Sequence, residues 1–120
     1  MNLKKIIKSG GATLSINTLK STNYADGYMV GVVGIKRDLT GINRKKRLKM
    51  KAEIKAMAKD FGATGKDYHI GLWVNNNLLY IDLSLKVNDL MNAMEAGYNY
   101  NQKAIWDNAK KVEIPLDFTK

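Results

Sequence analysis

Residues 69–84 read HIGLWVNNNLLYIDLS, two apolar runs joined by three consecutive asparagines. Two β-prone runs of this length with turn residues between them predict a β-hairpin. Successive side chains of a strand point to opposite faces, so Leu79, Ile81 and Leu83 share one face, which we expect to meet the helices. The opposite face, which we expect to be partly in contact with water, carries Leu78, Tyr80, Asp82 and Ser84.

The sequence on both sides of this hairpin predicts further helices and strands. The remaining predicted elements are a short helix at 2–9, strands at 12–19 and 28–35, a basic helix at about 43–61, a helix at about 87–98, and strands at 103–107 and 111–114. The helix at 87–98 has one apolar side, formed by Val87, Leu90, Met91, Met94 and Tyr98. We expect Gly10 and Gly11 to end the first helix, because paired glycines permit the positive φ of helix ends, and Pro115 to end the ordered core.

The approximate order β-β-α-β-β-α-β-β predicts the fold class. Pairs of strands separated by single helices are typical of an α+β fold. We therefore expect a single α+β domain over residues 1–120, with a mostly antiparallel sheet and two main helices packed on it.

The composition is that of one globular domain with few reactive groups. The chain has 120 residues and is 45% hydrophobic, which is enough for one core and too short for two. It has no cysteine and a single histidine, His69, which excludes disulfides, thiolate metal sites, thiol nucleophiles and multi-histidine zinc sites. No apolar run approaches the roughly 20 residues of a membrane span, and Ile6-Ile7 is too short for the core of a signal peptide. We expect a soluble, intracellular protein without a bound metal or cofactor.

Positive charge is concentrated in the basic helix. Twenty lysines and arginines against 11 acidic residues give a net charge of +9, and residues 44–51, RKKRLKMK, contain six basic residues and no acidic one. At 100° per residue the apolar residues of this helix fall on one side, which we expect to face the core; they are Met50, Ile54, Met57 and Phe61. The opposite arc is strongly positive and carries Arg44, Lys45, Lys49, Lys51, Lys55 and Lys59. These six, together with Lys46 and Arg47, are the residues predicted to bind nucleic acid or a partner.

This positive side has two interpretations. Lysines at i and i+4, such as Lys51 and Lys55, repel each other by a few tenths of a kcal/mol, so a purely structural helix would more often alternate its charges. Lysine ammoniums bind phosphates as point charges, which gives salt-dependent and poorly sequence-specific binding to DNA, RNA or a nucleoprotein. A solvated surface helix that binds nothing is the alternative. A membrane surface is disfavoured, because the apolar side holds no tryptophan and only one phenylalanine.

Other candidate groups are sparse. His69, Asp67 and Ser84 are the residue types of a catalytic triad, but no Gly-x-Ser-x-Gly motif accompanies them, and we interpret His69 as a residue that is near a turn or partly exposed. Asp82 and Asp107 would hold a divalent cation for phosphodiester hydrolysis if they met at one end of the sheet. Oxygen-only sites usually need more carboxylates, so strand-end or turn roles are the alternative. The glycines match no phosphate-binding or dinucleotide motif.

The two ends of the chain carry recognisable motifs. Residues 6–14, IIKSGGATL, and 27–31, GYMVG, resemble the start of a group of small proteins carried by phages and plasmids of Gram-positive bacteria. Residues 71–74, 79–84 and 101–107 are similar to the Gly-x-Trp-Val, Tyr-hydrophobic-Asp and Asn-Gln-x-Ala-Ile-Trp-Asp signatures of that group. The basic helix lies outside the resemblance.

The resemblance implies an anti-defence function. Some small mobile-element proteins are anti-CRISPR inhibitors of the type II RNA-guided effector nuclease, so this chain is expected to bind that nuclease, its guide RNA or their complex in the cytoplasm of a bacterial host cell. No catalytic residue comes with the resemblance, and no enzymatic activity is expected. The motif residues Trp73, Ile81 and Ile105 are expected in the sheet core, while Tyr80 and Tyr100 are the aromatic residues expected to be exposed.

Two other functions stay open. One is a general DNA- or RNA-binding protein of a phage, which would use the same basic helix. The other is a small metal-dependent nuclease that uses the two aspartates named above. An edge strand of the predicted sheet is also a natural place for a homodimer.

Overall fold

The helices and strands follow one another along the chain in the predicted order. The computed structural model describes residues 1–116, so residues 117–120 of the predicted domain lie outside the described part. The helices are α1 (Leu3–Ser9), α2 (Arg44–Gly62) and α3 (Leu90–Asn99). The strands are β1 (Gly11–Ser15), β2 (Tyr28–Asp38), β3 (Tyr68–Asn75), β4 (Leu78–Val87), β5 (Ala104–Asp107) and β6 (Val112–Pro115). The predicted α+β fold is confirmed.

The described strands form one six-stranded antiparallel sheet in the order β1-β3-β4-β2-β5-β6. The predicted hairpin is β3 and β4, with Ile70 opposite Leu83. Its turn residues Asn76 and Asn77 have φ values of 51° and 61°, the left-handed conformation of two-residue hairpin turns that asparagine tolerates. Because β4 also pairs with β2 from end to end, the hairpin contributes one of the two central strands of the sheet, and β2 is the other.

The helices cover one face of the sheet, and the core lies between the helices and that face. Leu79, Ile81 and Leu83 are fully buried on that face, as predicted. They belong to a large cluster that includes Met50 and Ile54 of α2. A second, smaller cluster lies against α3 and contains Val30, Ala93, Ile105 and Leu116. The opposite face, with Leu78, Tyr80, Asp82 and Ser84, is partly exposed, as predicted.

Several element boundaries differ from the prediction. The first strand ends at Ser15 instead of residue 19, because the Ser15 carbonyl accepts a turn hydrogen bond from the Leu19 amide and Leu19 has a φ of 56°. β4 continues to Val87, where the sequence pattern had predicted helix. α3 begins after Asp89, whose carboxylate accepts a hydrogen bond from the Asn92 amide at 2.9 Å, a typical N-cap.

The buried side of α3 is not the apolar side that its sequence predicts. Met91 is 79% exposed, and Leu90 and Tyr98 are also exposed, whereas Ala93 and Gly97 are buried. The cause is close packing, since a Cβ on Gly97 would lie 2.5 Å from Leu116 Cδ1. Leu116 is itself buried, so the core continues one residue past the predicted end at Pro115.

The N-cap of α2 determines where its basic residues begin. The Asn43 side chain accepts a hydrogen bond from the Lys46 amide at 2.9 Å and starts the helix at Arg44. The first turn therefore carries Arg44 to Arg47 and no acidic residue, at the end of a helix where the dipole is already positive. Among residues 1–116, no helix is long and apolar enough to cross a membrane.

Candidate nucleic-acid interface

Most of the basic residues of α2 lie on the side of the helix that faces away from the sheet. Met50, Ile54 and Ala58 are buried against the sheet, and Met57 and Phe61 pack at the margin of the same cluster. This confirms the predicted apolar side. Six of the predicted binding residues lie on this outward side: Arg44, Lys45, Lys49, Lys51, Lys55 and Lys59. Lys46 lies at its margin, and Arg47 lies on the same arc as Ile54 and Ala58, at the N-terminal end of the helix. We call these eight cations together the basic surface. Arg47 and Lys51 are half-buried and the other six are exposed.

No member of the basic surface forms an ion pair with an acidic residue in the described part of the chain. Two acidic residues of α2, Glu53 and Asp60, are close to these cations in sequence. Glu53 is paired with Arg37 of β2: Arg37 Nε donates to Glu53 Oε2 at 2.7 Å, and Nη2 lies 2.6 Å from the same oxygen. Asp60 is exposed and forms no ion pair within residues 1–116.

The Lys46 ammonium donates to the Thr40 carbonyl at 2.9 Å. After the hydrogen bonds from Thr40, it is one of the groups that lower the pKa of Asp38, without forming an ion pair with it. Most of the positive charge of the surface is thus not neutralised by carboxylates within residues 1–116.

A cleft of about 340 Å³ between α1 and α2 extends the basic surface. Lys4 of α1 lines this cleft together with Arg44, Arg47 and Lys51 of α2, and Leu48 adds an apolar side chain. Lys4 is not among the binding residues predicted from the sequence. Its signal was the pattern of α1, in which Leu3 and Ile6 are buried and the lysines therefore face outward.

The His69 side chain is buried, so the predicted alternative of a partly exposed histidine is wrong; the other alternative, a position near a turn, agrees with its place as the second residue of β3. Only 5% of the residue is exposed, because Tyr24 covers it with an edge-on ring contact at 4.6 Å. The Tyr24 hydroxyl lies 2.7 Å from Nδ1, and Asp67 Oδ1 lies 2.9 Å from Nε2. Burial lowers the pKa of His69, and Asp67 acts in the opposite direction more weakly.

These contacts do not form a catalytic triad. Ser84 is the cross-strand neighbour of His69, but the ring nitrogen that a serine nucleophile would need is occupied by the Tyr24 hydroxyl. The rejection of the triad therefore agrees with the geometry. His69 holds the segment before β2 against the sheet.

Asp82 and Asp107 do not meet. Asp82 is opposite Gly34 on β2, whereas Asp107 is opposite Tyr28 at the start of the same strand, which separates them by about 20 Å at the rise of a strand. Asp107 Oδ1 accepts hydrogen bonds from the amides of Ala109 and Lys110 at 3.0 and 3.1 Å. Its role is in the turn. Within residues 1–116 no three metal-ligating side chains come together.

The expected burial of Trp73 and the expected exposure of Tyr80 and Tyr100 both differ from the structure, and the position of Trp73 reveals a second surface. Trp73, expected in the core, is 43% exposed on the sheet face opposite the helices. Its ring stacks on Tyr80 at 4.1 Å, and its Nε1 donates to Asp82 Oδ2 at 3.0 Å. Tyr80 and Tyr100, expected to be exposed, are half-buried. Ile81 and Ile105 are in the core, as predicted.

The described structure thus offers one strongly positive surface on α2 and, on the far side of the sheet, one aromatic face. Comparison with known proteins adds no assignment to either: the chain has no significant match to a protein-family model, to a curated protein or to a solved structure.

Proposed function

We propose that the protein binds a nucleic-acid backbone through the basic surface of α2 and inhibits an RNA-guided nuclease by occupying its guide RNA or nucleic-acid channel. The observation that carries the proposal is the basic surface itself: eight cations on one helix, none of them paired with a carboxylate in the described residues.

The energetics of α2 support a ligand. Lys45 and Lys49, Lys51 and Lys55, and Lys55 and Lys59 are like-charge pairs at i and i+4, each unfavourable by a few tenths of a kcal/mol. The four cations of the first turn also oppose the helix dipole. A bound polyanion reduces both the repulsion between the lysines and the unfavourable interaction of the first-turn cations with the helix dipole. Relief of these two effects favours binding of the polyanion.

The dimensions of the surface suit a run of phosphates. The residues from Arg44 to Lys59 span 16 positions, which at the rise of an α-helix is about 22 Å. Phosphates repeat every 3.4 Å or so along one strand of a duplex, so about six of them lie within reach. Contacts of this kind recognise the backbone and carry little sequence information.

The choice of target rests on the resemblance to mobile-element proteins and on the lack of a catalytic arrangement around His69. Blocking guide loading or DNA entry requires only occupancy, and a basic helix competes directly with nucleic acid or binds an acidic patch of the nuclease. An inhibitor of this type acts stoichiometrically.

A charge-reversal pair tests the role of the basic surface. Replacing Lys51, Lys55 and Lys59 with Glu lowers the net charge from +9 to +3, since each replacement removes two charges. Replacing Lys66, Lys103 and Lys110, which are exposed elsewhere, lowers it by the same amount. We expect the first variant to lose RNA binding in a mobility-shift assay and the second to keep it. Equal loss in both would show that net charge alone is responsible.

A pull-down identifies the target. Immobilised protein is incubated with a type II effector nuclease, with and without guide RNA, and beside it with the bare RNA and DNA. Capture of the nuclease supports the proposed inhibition if the Glu variant of the basic surface loses it and the matched control variant keeps it. Binding to any nucleic acid with no preference for the nuclease would leave a general nucleic-acid-binding protein and overturn the anti-defence assignment.

A further inference from the structure

The sheet face opposite the helices carries a groove of about 700 Å³. A segment before β2, residues 21–27, crosses this face and forms one wall; we call it the strap. The strap is fixed at both ends, by a hydrogen bond from the Thr22 amide to the Thr13 carbonyl at 2.8 Å and by one from the Asn108 amide to the Gly27 carbonyl at 3.0 Å. Tyr24 anchors its middle on His69. The groove is therefore a built feature of the fold.

Glycine makes room for the groove, and two indoles flank it. Gly71 lies in its floor, and a Cβ there would meet only a backbone oxygen at 3.9 Å, so the space above the residue is open. Trp73 stands at one end and Trp106 at the other, 43% and 38% exposed. Met29, the cross-strand neighbour of Trp106, lines the groove between them. Part of each indole therefore remains open to a ligand, although Tyr80 covers one face of the Trp73 ring.

The charge of the groove is opposite to that of the rest of the molecule. Its lining contains two carboxylates, Asp82 and Glu113, and one ammonium, Lys111. Neither carboxylate forms an ion pair within residues 1–116. The Lys111 ammonium is directed to the strap, where it donates to the Tyr24 carbonyl at 3.1 Å. A protein with a net charge of +9 thus presents two uncompensated carboxylates beside exposed indoles.

We propose that this groove binds an arginine side chain of a partner polypeptide. A guanidinium is planar and stacks on an indole, while its N–H groups donate to a carboxylate. Asp82 suits this role because Trp73 Nε1 occupies only one of its acceptor positions, and an ionised carboxylate accepts up to about four hydrogen bonds. Charge complementarity selects this occupant over a nucleotide, whose phosphate the two carboxylates would repel.

This inference is independent of the basic surface, because the groove and α2 lie on opposite faces of the sheet. A protein that binds nucleic acid through α2 would still present the groove to an arginine-bearing chain. Failure of either binding event leaves the other intact.

The two tryptophans of the chain are Trp73 and Trp106, so their intrinsic fluorescence reports on the groove alone. The probe is the capped tripeptide acetyl-Gly-Arg-Gly-amide, and its control is the same peptide with citrulline, which has nearly the same shape and no charge. We expect saturable quenching by the arginine peptide with a dissociation constant of about 1 mM and at least a tenfold weaker response to the citrulline peptide.

Matched variants locate the binding. Asp82→Asn is expected to weaken binding of the arginine peptide about tenfold. Asp60→Asn, which replaces an exposed aspartate of α2, removes the same charge and is expected to leave binding of the peptide unchanged. Glu113→Gln, on the exposed strand β6, is a second groove variant whose folding is not in question, and it too should weaken binding. Equal responses to the arginine and citrulline peptides, or tighter binding of uridine monophosphate than of the arginine peptide, would overturn the proposal.

Discussion

Ile54→Ala tests whether α2 is held to the sheet as the structure describes. Ile54 is 0% exposed and belongs to the same buried cluster as Ile70 and Leu72 of β3. The substitution removes three carbons, worth about 2.4 kcal/mol at about 0.8 kcal/mol per buried methylene. The cavity left behind raises the loss, and the better helix propensity of alanine returns a few tenths of a kcal/mol. We expect the free energy of unfolding to fall by about 3 kcal/mol.

Urea unfolding followed by circular dichroism at 222 nm measures this loss. The matched control is Leu48→Ala on the same helix, because Leu48 is 55% exposed and its truncation should stay within about 0.5 kcal/mol of the wild type. A loss of less than about 1 kcal/mol for Ile54→Ala, or a comparable loss for the control, would refute the described docking of α2.

Two further predictions concern buried positions. Because burial lowers the pKa of His69, the unfolded chain binds more protons than the native one below about pH 6.5, so the free energy of unfolding should fall as pH drops from 7.5 to 5.5. The urea midpoint should therefore decrease less over this range in His69→Gln than in the wild type. An equal decrease in both would contradict a buried His69 with a lowered pKa. Gly97→Ala places a Cβ against Leu116 and Ile105 and should lower the free energy of unfolding by about 1–3 kcal/mol in the same assay. Gly71→Ala is the control, because its Cβ would meet only a backbone oxygen at 3.9 Å, and it should not be destabilising. Equal effects of the two substitutions would show that α3 packs less closely than the structure describes.

The fold was predictable where the signal is local. Alternation in β4 and the asparagine turn defined the hairpin, and the 4, 3, 4 spacing from Met50 to Phe61 defined the buried side of α2. Each of these patterns is complete within about 20 residues. The basic surface shares this property, since all eight of its residues belong to one helix.

The predictions that failed depend on contacts between distant segments. His69 is buried by Tyr24, 45 residues earlier in the chain, and nothing near His69 in sequence announces that contact. The side of α3 that is buried depends on Leu116 filling the space beside Gly97. The groove likewise requires the strap, β3 and β5 to come together, so its residues share no sequence motif.

Trp73 is a different case, because its position was available from the hairpin. A two-residue turn at Asn76 and Asn77 places Trp73 opposite Tyr80, and alternation had already assigned Tyr80 to the water-facing side. Applying the register across the turn would have put the indole on the same side. The preference of large aromatic residues for the core outweighed the register in the sequence analysis.

The salt dependence of RNA binding tests the central claim most directly. The observed association constant for a short single-stranded RNA is measured by fluorescence anisotropy at several NaCl concentrations. If the six exposed cations of the basic surface contact phosphates, the slope of log K against log [NaCl] should be about −4. The Glu variant of Lys51, Lys55 and Lys59 removes two of these six, Lys55 and Lys59, and should make the slope shallower by about 1.4. A slope near zero, or the same slope in that variant, would contradict binding through α2.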